Sequence, residues 1–521
     1  MQSKDEARKI LWVDDEIEHL KPHIMFLKKK GYDVSEAASG HDALELIKKQ
    51  AFDLVLLDEM MPGMDGLQTM QEIKEVDPAL PVVMVTKSEE EDLMEQAIGR
   101  QIADYLTKPV NPSQVLMVTK RILDSKKIRQ SHFSRDYVQE SGKLRARLYG
   151  PMEPADWIDT HRQLSQWDVA LDAHPDSGFA ETQRDLRRDC NVEFCKYIEK
   201  VYPRWMKTKD RPVMSPGVVR EFVVPHLKRK TPVYFIVVDC MRYDQWLTIE
   251  PVIGELFQVE KDYYFSLLPT ATPFARNSIF AGEWPEQVAE ILPDLWRNAQ
   301  SEKSLNANER ELLVRQLDRM AIRMQGEIRY AKVLEQKEGE QLAKRITTYQ
   351  NKSIMAMVFN FIDLLSHGRS ESEILLEVAP NESAFRSLMK SWFMHSSLYE
   401  ILKYLSTQDC KVIITTDHGS ILANRGTTVK GRKEASTNLR YKYGDNLACN
   451  TREVVLVKHP EKFHLPRFGV STTYIFAKED HYFVYPTQYH KYVSKYANTF
   501  QHGGISLEEM VLPVITLSPR R

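Results

Sequence analysis

Apolar and polar positions alternate in three different rhythms along the chain. Over the first 125 residues, five short apolar runs (KILWVDD, DVSEAA, DLVLLDE, PVVMVTK and DYLTKP) are separated by amphipathic stretches. Their number and spacing predict five βα units forming a doubly wound parallel sheet. Over residues 126–212 such runs are absent, charge is dense, and Trp157, Leu164, Trp167 and Leu171 recur at helical spacing. This predicts a helical bundle linker that ends near KTKDRPVMSPG, where proline and glycine interrupt the pattern. Residues 213–521 return to α/β: PVYFIVVDC, IMAMVFNFID and KVIITTDHG read as buried strands, and SEKSLNANERELLVRQLDRMAIRMQG as a long polar helix. The expectation is a multidomain α/β protein with regions 1–125, 126–212 and 213–521.

Composition narrows the setting. A chain of 521 residues has room for about two to four domains. Apolar content of 42% and charged content of 28% are ordinary for a soluble globular protein. A formal net charge of -2 argues against a protein-wide attraction to nucleic acid or membrane. Cys190, Cys195, Cys240, Cys410 and Cys449 form no C-x-x-C pair, which fits a reduced compartment, and Cys240 reads as a small buried apolar residue. The N-terminal MQSKDEARKI lacks an apolar signal core, and no run approaches the ~18 residues of a membrane span. A cytoplasmic location follows as the expectation.

In open α/β sheets, ligands sit beyond the carboxyl ends of the strands. Asp14 and Asp15 follow the first run, Asp58 ends the third, Thr86 the fourth, and Lys108 follows the fifth. Converging carboxylates imply a divalent cation, and all-oxygen ligands favour Mg²⁺. Lys108 and the Thr86 hydroxyl could then engage the oxygens of a phosphoryl group on Asp58. A cis bond is expected at Lys108-Pro109. VDDE (13–16), LLDEMMPGMDG (56–66), VT (85–86) and TKP (107–109) together resemble the receiver domain of response regulators, a flavodoxin-like fold. The resemblance implies phosphorylation of Asp58 by a sensor histidine kinase and a switch read through Thr86 and Tyr105. One position departs from the family pattern. Lys87 follows the switch threonine where a small residue is usual, and a long cation there would alter water access and phosphoryl lifetime.

The C-terminal region repeats the logic with other ligands. Asp239, Asp363 and Asp417 each follow an apolar run. His367 lies four residues after Asp363 on one helical face, His418 follows Asp417, and His502 precedes a glycine pair. Three carboxylates and three imidazoles suffice for two metals, and mixed N/O ligation suits Zn²⁺ first and Mn²⁺ second. Thr272, in LPTATPFARN, is the candidate nucleophile because a hydroxyl needs a metal to lose its proton near neutral pH. Arg276, one turn on, is a candidate oxyanion contact. VVDCMRYDQW, LPTATPFAR, FIDLLSH, TTDHGS and HGGISLEEMVLPVI resemble the alkaline phosphatase superfamily in its PglZ branch. In that family's pattern one metal is held by Asp239, Thr272, Asp417 and His418, and the other by Asp363, His367 and His502. Residues 425–442 carry six Lys/Arg against one Glu, readable as a solvated loop or as a phosphate clamp.

A receiver, a helical linker and a PglZ-like domain in one chain resemble the PorX type of response regulator. That resemblance implies a part in type IX secretion and contacts with secretion-motor and sigma-factor proteins. The expected activity is a metal-dependent phosphodiesterase on nucleotide-type substrates, including cyclic oligonucleotides. Diesters are preferred to monoesters because no extra metal site of the monoesterase kind is evident. The alternative is a metal-holding interaction module that works by dimerisation and partner contacts without turnover. Retention of Thr272 favours the enzyme. A DNA-binding output is disfavoured because no recognition helix follows the receiver. A phosphorylation-promoted homodimer is expected through Tyr105 and the helix over 111–123.

Overall fold

The computed structural model describes residues 7–87, 102–123, 125–291, 308–322, 326–348, 352–431, 438–487 and 489–520. The chain forms two compact units, residues 1–138 and 139–521.

The first unit holds the five strands read from the sequence: β1 (Lys9–Val13), β2 (Asp33–Ala37), β3 (Leu54–Asp58), β4 (Val82–Thr86) and β5 (Asp104–Thr107). They form one sheet in the order β2-β1-β3-β4-β5, and every pairing is parallel. Side chains of a strand point alternately to its two faces. Ile10, Trp12, Leu54 and Leu56 therefore pack on one face, and Leu11, Val13, Val55 and Leu57 on the other. Helices Lys21–Lys29, Gly40–Lys49, Gly66–Val76 and Pro112–Leu123 cover the two faces. Ser39 and Asp65 cap two of these helices by accepting from Asp42 N and Gln68 N.

The second unit is built on a six-stranded mixed sheet. β6 (Val233–Val238), β9 (Lys352–Phe359) and β10 (Lys411–Thr415) are the three buried runs of the sequence. They lie side by side and parallel, in the order β10-β6-β9. β8 (Glu327–Val333) extends the sheet beyond β9. Beyond β10, the C-terminal strand Val511–Pro519 pairs antiparallel with β10, and β7 (Phe257–Phe265) pairs antiparallel with that strand. Val233, Phe235 and Val237 face a layer that includes helices Thr272–Ala281 and Glu309–Arg319, while Tyr234, Ile236 and Val238 face helices Tyr243–Leu256, Glu382–Met394 and Ser397–Leu405. β7 and β8 carry much polar surface, which is why no buried run announced them. Three small sheets between residues 421 and 501 also lack a buried run. The long polar stretch after residue 300 forms helix Glu309–Arg319; its residues 301–307 and 323–325 lie outside the described ones.

Between residues 139 and 212 the regular structure is helical, chiefly Pro154–Asp172 and Ala180–Trp205. Trp157, Leu164, Leu186, Phe194, Ile198, Tyr202 and Trp205 from these helices share one core with Phe265, Leu268, Ala271, Ile505, Leu507 and Met510.

Candidate functional site

The parallel strands of the first unit bring their carboxyl ends to one edge, where Asp14, Asp15 and Asp58 offer oxygens within 4.8 Å of one another. Lys108 Nζ donates to Asp14 Oδ2 at 2.8 Å and pairs with Asp58 Oδ1 at 2.9 Å. Burial raises the Asp58 pKa, with Asp14 and Asp15 adding to the rise and Lys108 opposing it. Burial works against the charge on Lys108, yet its bonds to Asp14 and Asp58 outweigh that and raise its pKa. Three acids against one lysine leave excess negative charge, and all donors are oxygen; the set fits Mg²⁺. Thr86 ends β4 beside this edge, Lys87 is exposed, and Tyr105 on β5 is 44% exposed. The Lys108-Pro109 bond is cis, as expected.

In the second unit β6, β9 and β10 likewise end together. Asp239 continues β6 and donates its N–H to Phe359 O at 2.9 Å, which locks it to the end of β9. Asp417 and His418 follow β10, and Asp363 and His367 stand one turn apart on helix Phe361–Glu371. His502 enters from the turn before the C-terminal strand. The seven residues separate into two groups. Asp239, Asp417 and His418 form one triad and Asp363, His367 and His502 the other; within each, ligand atoms lie within 4.8 Å of one another. Thr272, the first residue of its helix, joins the former: its Oγ1 is 3.0 Å from His418 Nε2 and 3.4 Å from Asp239 Oδ1. The stacked rings of His418 and His502, with centroids 4.1 Å apart, bring the groups together.

The donor chemistry fits two cations. His418 Nδ1 lies 3.1 Å from Gly419 O and His502 Nδ1 lies 3.3 Å from Thr270 O, contacts that protonate Nδ1 and turn the Nε2 lone pairs inward. His502 Nε2 faces His367 Nε2 at 3.4 Å, and Asp363 Oδ1 is buried 3.4 Å from one and 3.6 Å from the other without a well-formed hydrogen bond. Two imidazole lone pairs and a carboxylate oxygen pointing at one spot are the donor set of a bound cation. Burial, then His418, pushes His502 down to about 3, so its ring is neutral and able to ligate. Burial opposes charge on Asp363, but His367, His502 and His418 hold its carboxyl below the usual range. Burial raises the Asp239 pKa despite Arg276.

Arg276 was expected at an oxyanion. Its guanidinium is fully buried and lies against Asp239, Asp417 and Glu309, with Nε donating to Asp417 Oδ2 at 3.0 Å. Of the basic segment 425–442, Arg425 is paired with Glu479 and Asp480, Arg440 with Glu509, and Lys442 is buried; residues 432–437 lie outside the described ones. Sequence reasoning overlooked Thr270, whose hydroxyl donates to Gly504 O at 2.8 Å and accepts from Gly503 N at 3.1 Å. It also overlooked Asn360, which donates to Asp239, and Glu309 behind Arg276. Thr270 was visible inside LPTAT as a second buried hydroxyl, whereas nothing around Glu309 in the sequence ties it to the site. Two glycines are dictated by geometry. A Cβ on Gly419 would meet Glu508 O at 1.9 Å, and Gly503 has φ of +115°.

Comparison with known proteins follows the same division. The model of the PglZ alkaline phosphatase-like domain of BREX systems matches residues 218–517, that of the response regulator receiver domain residues 10–120, and that of the PorX response regulator linker domain residues 127–206. The transcriptional regulatory protein ZraR of Salmonella typhimurium is 40% identical over 102 residues, 20% of this chain and 23% of that protein. ResD of Bacillus subtilis is 36% identical over 115 residues, 22% of this chain and 48% of that protein. The chain thus spans about a quarter to a half of these curated relatives. Among solved structures, chemotaxis protein CheY4 of Vibrio cholerae is 28% identical, with a TM-score of 0.22, covering 22% of this chain and 99% of that one. The receiver domain of NtrX from Brucella abortus is 33% identical, with a TM-score of 0.21, covering 22% and 98%. Among the described residues no helix is long and apolar enough to cross a membrane. The receiver brings a kinase partner and Mg²⁺ binding, and the phosphatase-like domain brings divalent-metal use. With the PglZ match covering more than half of the chain, behind a receiver and a PorX linker, the protein belongs to the PorX-type response regulators of the PglZ alkaline phosphatase-like family.

Proposed function

We propose that the second unit is a phosphodiesterase for nucleotide-type substrates, with Thr272 as nucleophile and phosphorylation of Asp58 by a sensor histidine kinase as its control. One observation carries the reading: Thr272 Oγ1 stands 3.0 Å from His418 Nε2 and 3.4 Å from Asp239 Oδ1, beside the carboxylates and imidazoles that could hold a cation. Two zinc ions, or manganese as second choice, would supply Lewis acidity that lowers the pKa of a hydroxyl and steadies charge on phosphoryl oxygens. The chain does the rest. Asp239, Asp417 and His418 would hold one cation, and Asp363, His367 and His502 the other. The start of helix Thr272–Ala281 presents its dipole to the anionic phosphoryl group. Arg276, one turn on, holds Asp239 and Asp417 in place. Attack by Thr272 Oγ1 forms a threonine–phosphorus ester and breaks the bond to the first alcohol, which leaves with the hydroxyl proton. Water then cleaves that ester, restoring Thr272 and releasing a monoester. The receiver residues Asp14, Asp15 and Asp58 would hold Mg²⁺, with Thr86, Tyr105 and Lys108 reading the phosphoryl group. Exposed Tyr105 and Met117 support a homodimer that phosphorylation favours. The setting would be the cytoplasm and type IX secretion.

The test is hydrolysis of a chromogenic phosphodiester by zinc-loaded protein, comparing the parent with Thr272→Ala at equal metal content. Loss of turnover in Thr272→Ala with partial activity in Thr272→Ser is expected. Equal rates would replace Thr272 by water as the nucleophile. A parent inert on every phosphoester would leave metal-supported protein contact as the function.

A further inference from the structure

Helix Ala180–Trp205 contributes no residue to either candidate cation group, yet it grips the loop that leads to Thr272 and the loop that carries His502. Near its end, Tyr202 Oη accepts from Leu268 N at 2.9 Å, four residues before Thr272. Two to three turns earlier the helix holds the loop that carries His502. Cys195 Sγ donates to Ile505 O at 3.2 Å, Asn191 Oδ1 accepts from Leu507 N at 2.8 Å, and Asn191 Nδ2 donates to Glu508 Oε2 at 3.0 Å. Arg187 Nη1 adds a bond to Glu508 Oε1 at 2.6 Å. Positions 187, 191, 195 and 202 lie four, four and seven apart, so they form one stripe along the helix. The bonds to backbone therefore run from a single face to two separate loops, over about 16 Å of helix. Thr270 and Gly504 then tie the two loops to each other.

Packing alone does not require this arrangement. The same stripe carries Ile198 and lies in an apolar core with Phe194 and Leu186, where aliphatic residues at 191 and 202 would bury as much surface but leave Leu507 N and Leu268 N without these partners. A buried amide and a buried phenol are retained only where each has a partner, and here the partners are main-chain groups of the two site loops. We infer that Tyr202 and Asn191 are positioning residues: helix Ala180–Trp205 acts as a splint that fixes Thr272 and His502 relative to one another. Reacting groups tolerate little displacement, and a misplacement of about 1 Å can cost roughly a hundredfold in rate. The helix also stands between receiver and site in chain order, which makes it a place where the site can be regulated. The inference rests on the proposed function for its zinc and activity arms, and loop exchange is independent of it.

The experiment compares Tyr202→Phe and Asn191→Ala with the full-length parent by three readouts. Zinc titration against a competing chelator should show Asn191→Ala weakening the second zinc about tenfold or more while the first is unchanged. Turnover of the zinc-saturated Tyr202→Phe protein should fall about threefold to tenfold in kcat with KM little moved. Amide exchange should quicken across 270–272 in Tyr202→Phe and across 502–504 in Asn191→Ala, beyond the two amides that lose their partner directly. Parent-like zinc affinity, kcat and loop exchange in both variants, with only a lowered melting temperature, would overturn the inference and leave a packing helix. Were the parent itself inactive or zinc-free, the proposed activity would fail, and loop exchange would still decide this one.

Discussion

Replacing Thr270 by valine keeps the side-chain shape and removes one oxygen. That oxygen donates to Gly504 O at 2.8 Å and accepts from Gly503 N at 3.1 Å, with none of the side chain exposed. Two buried backbone groups would lose this partner together. At about 1–3 kcal/mol for each buried group left unsatisfied, the variant should lose roughly 2–6 kcal/mol of stability. The turn affected is the one that presents His502, whose Nδ1 lies 3.3 Å from Thr270 O. A loosened turn leaves the His502 ring less fixed, and with His502 in its proposed role as a ligand the disturbance should weaken metal affinity by about 10–100-fold. Chemical unfolding of the metal-free protein reads the first effect, and zinc titration against a chelator reads the second. Thr270→Ser keeps the hydroxyl and should restore most of both. A Thr270→Val protein with parental stability and parental zinc affinity would show that the Thr270 bridge does not set the His502 turn.

Further outcomes are expected on the same physical grounds. Asp58→Ala should abolish labelling by a small phosphodonor with Mg²⁺; full labelling seen by mass spectrometry would remove Asp58 as the acceptor. Burial pushes the Lys442 ammonium from 10.5 down to about 8. The unfolded chain therefore binds more protons between those values, and stability attributable to this group rises with pH across that window. Lys442→Met should stabilise the protein below pH 8, a gain offset in part by loss of the Lys442–Tyr485 cation–π contact and fading towards pH 10.5, with phosphodiester turnover unchanged; a large loss of turnover would revive the phosphate-clamp reading of residues 425–442. Gly419→Ala should destabilise the protein and disorder Asp417 and His418, since the new Cβ would meet Glu508 O at 1.9 Å; a parental melting temperature would contradict it.

What the sequence disclosed follows a physical rule. A residue was legible where the chain marked it with a buried strand directly before it. Asp58, Asp239, Asp363 and Asp417 all stand at or just beyond the end of a parallel strand, and an acid ending an apolar run is conspicuous. His367 was legible through helical spacing from Asp363, and His502 through its glycine pair. Thr272 needed the family resemblance, because threonine beside proline is common in turns. Glu309 was invisible because it meets Arg276 only through the fold, from a helix with no pattern pointing to the site. β7 failed to show as a strand because its middle alternates between exposed and half-buried positions. The attachment of the linker helices was hidden for a similar reason. An amphipathic helix advertises that it has a buried face, and its sequence does not say which element covers it.

An independent spacer between receiver and output needs only solubility and length, and its apolar residues would pack on one another. Here Phe194, Ile198, Tyr202 and Trp205 bury against Phe265, Leu268, Ile505 and Leu507, the segments that frame the Thr272 and His502 loops. Tyr202 and Asn191 then take up backbone groups of those same segments. The helices therefore complete the output domain, and its two site loops would lose a supporting wall if the helices moved. Binding energy that differs between two states is what shifts an equilibrium between them. A signal that displaced helix Ala180–Trp205 would act directly on the spacing of Thr272 and His502, without contacting either candidate cation group. Control of this kind predicts that variants in the Tyr202–Leu268 and Asn191–Leu507 contacts change how strongly phosphodonor treatment alters turnover, while Thr272→Ala removes turnover in both states. Equal responsiveness in the contact variants and the parent would place the route of control elsewhere in the chain.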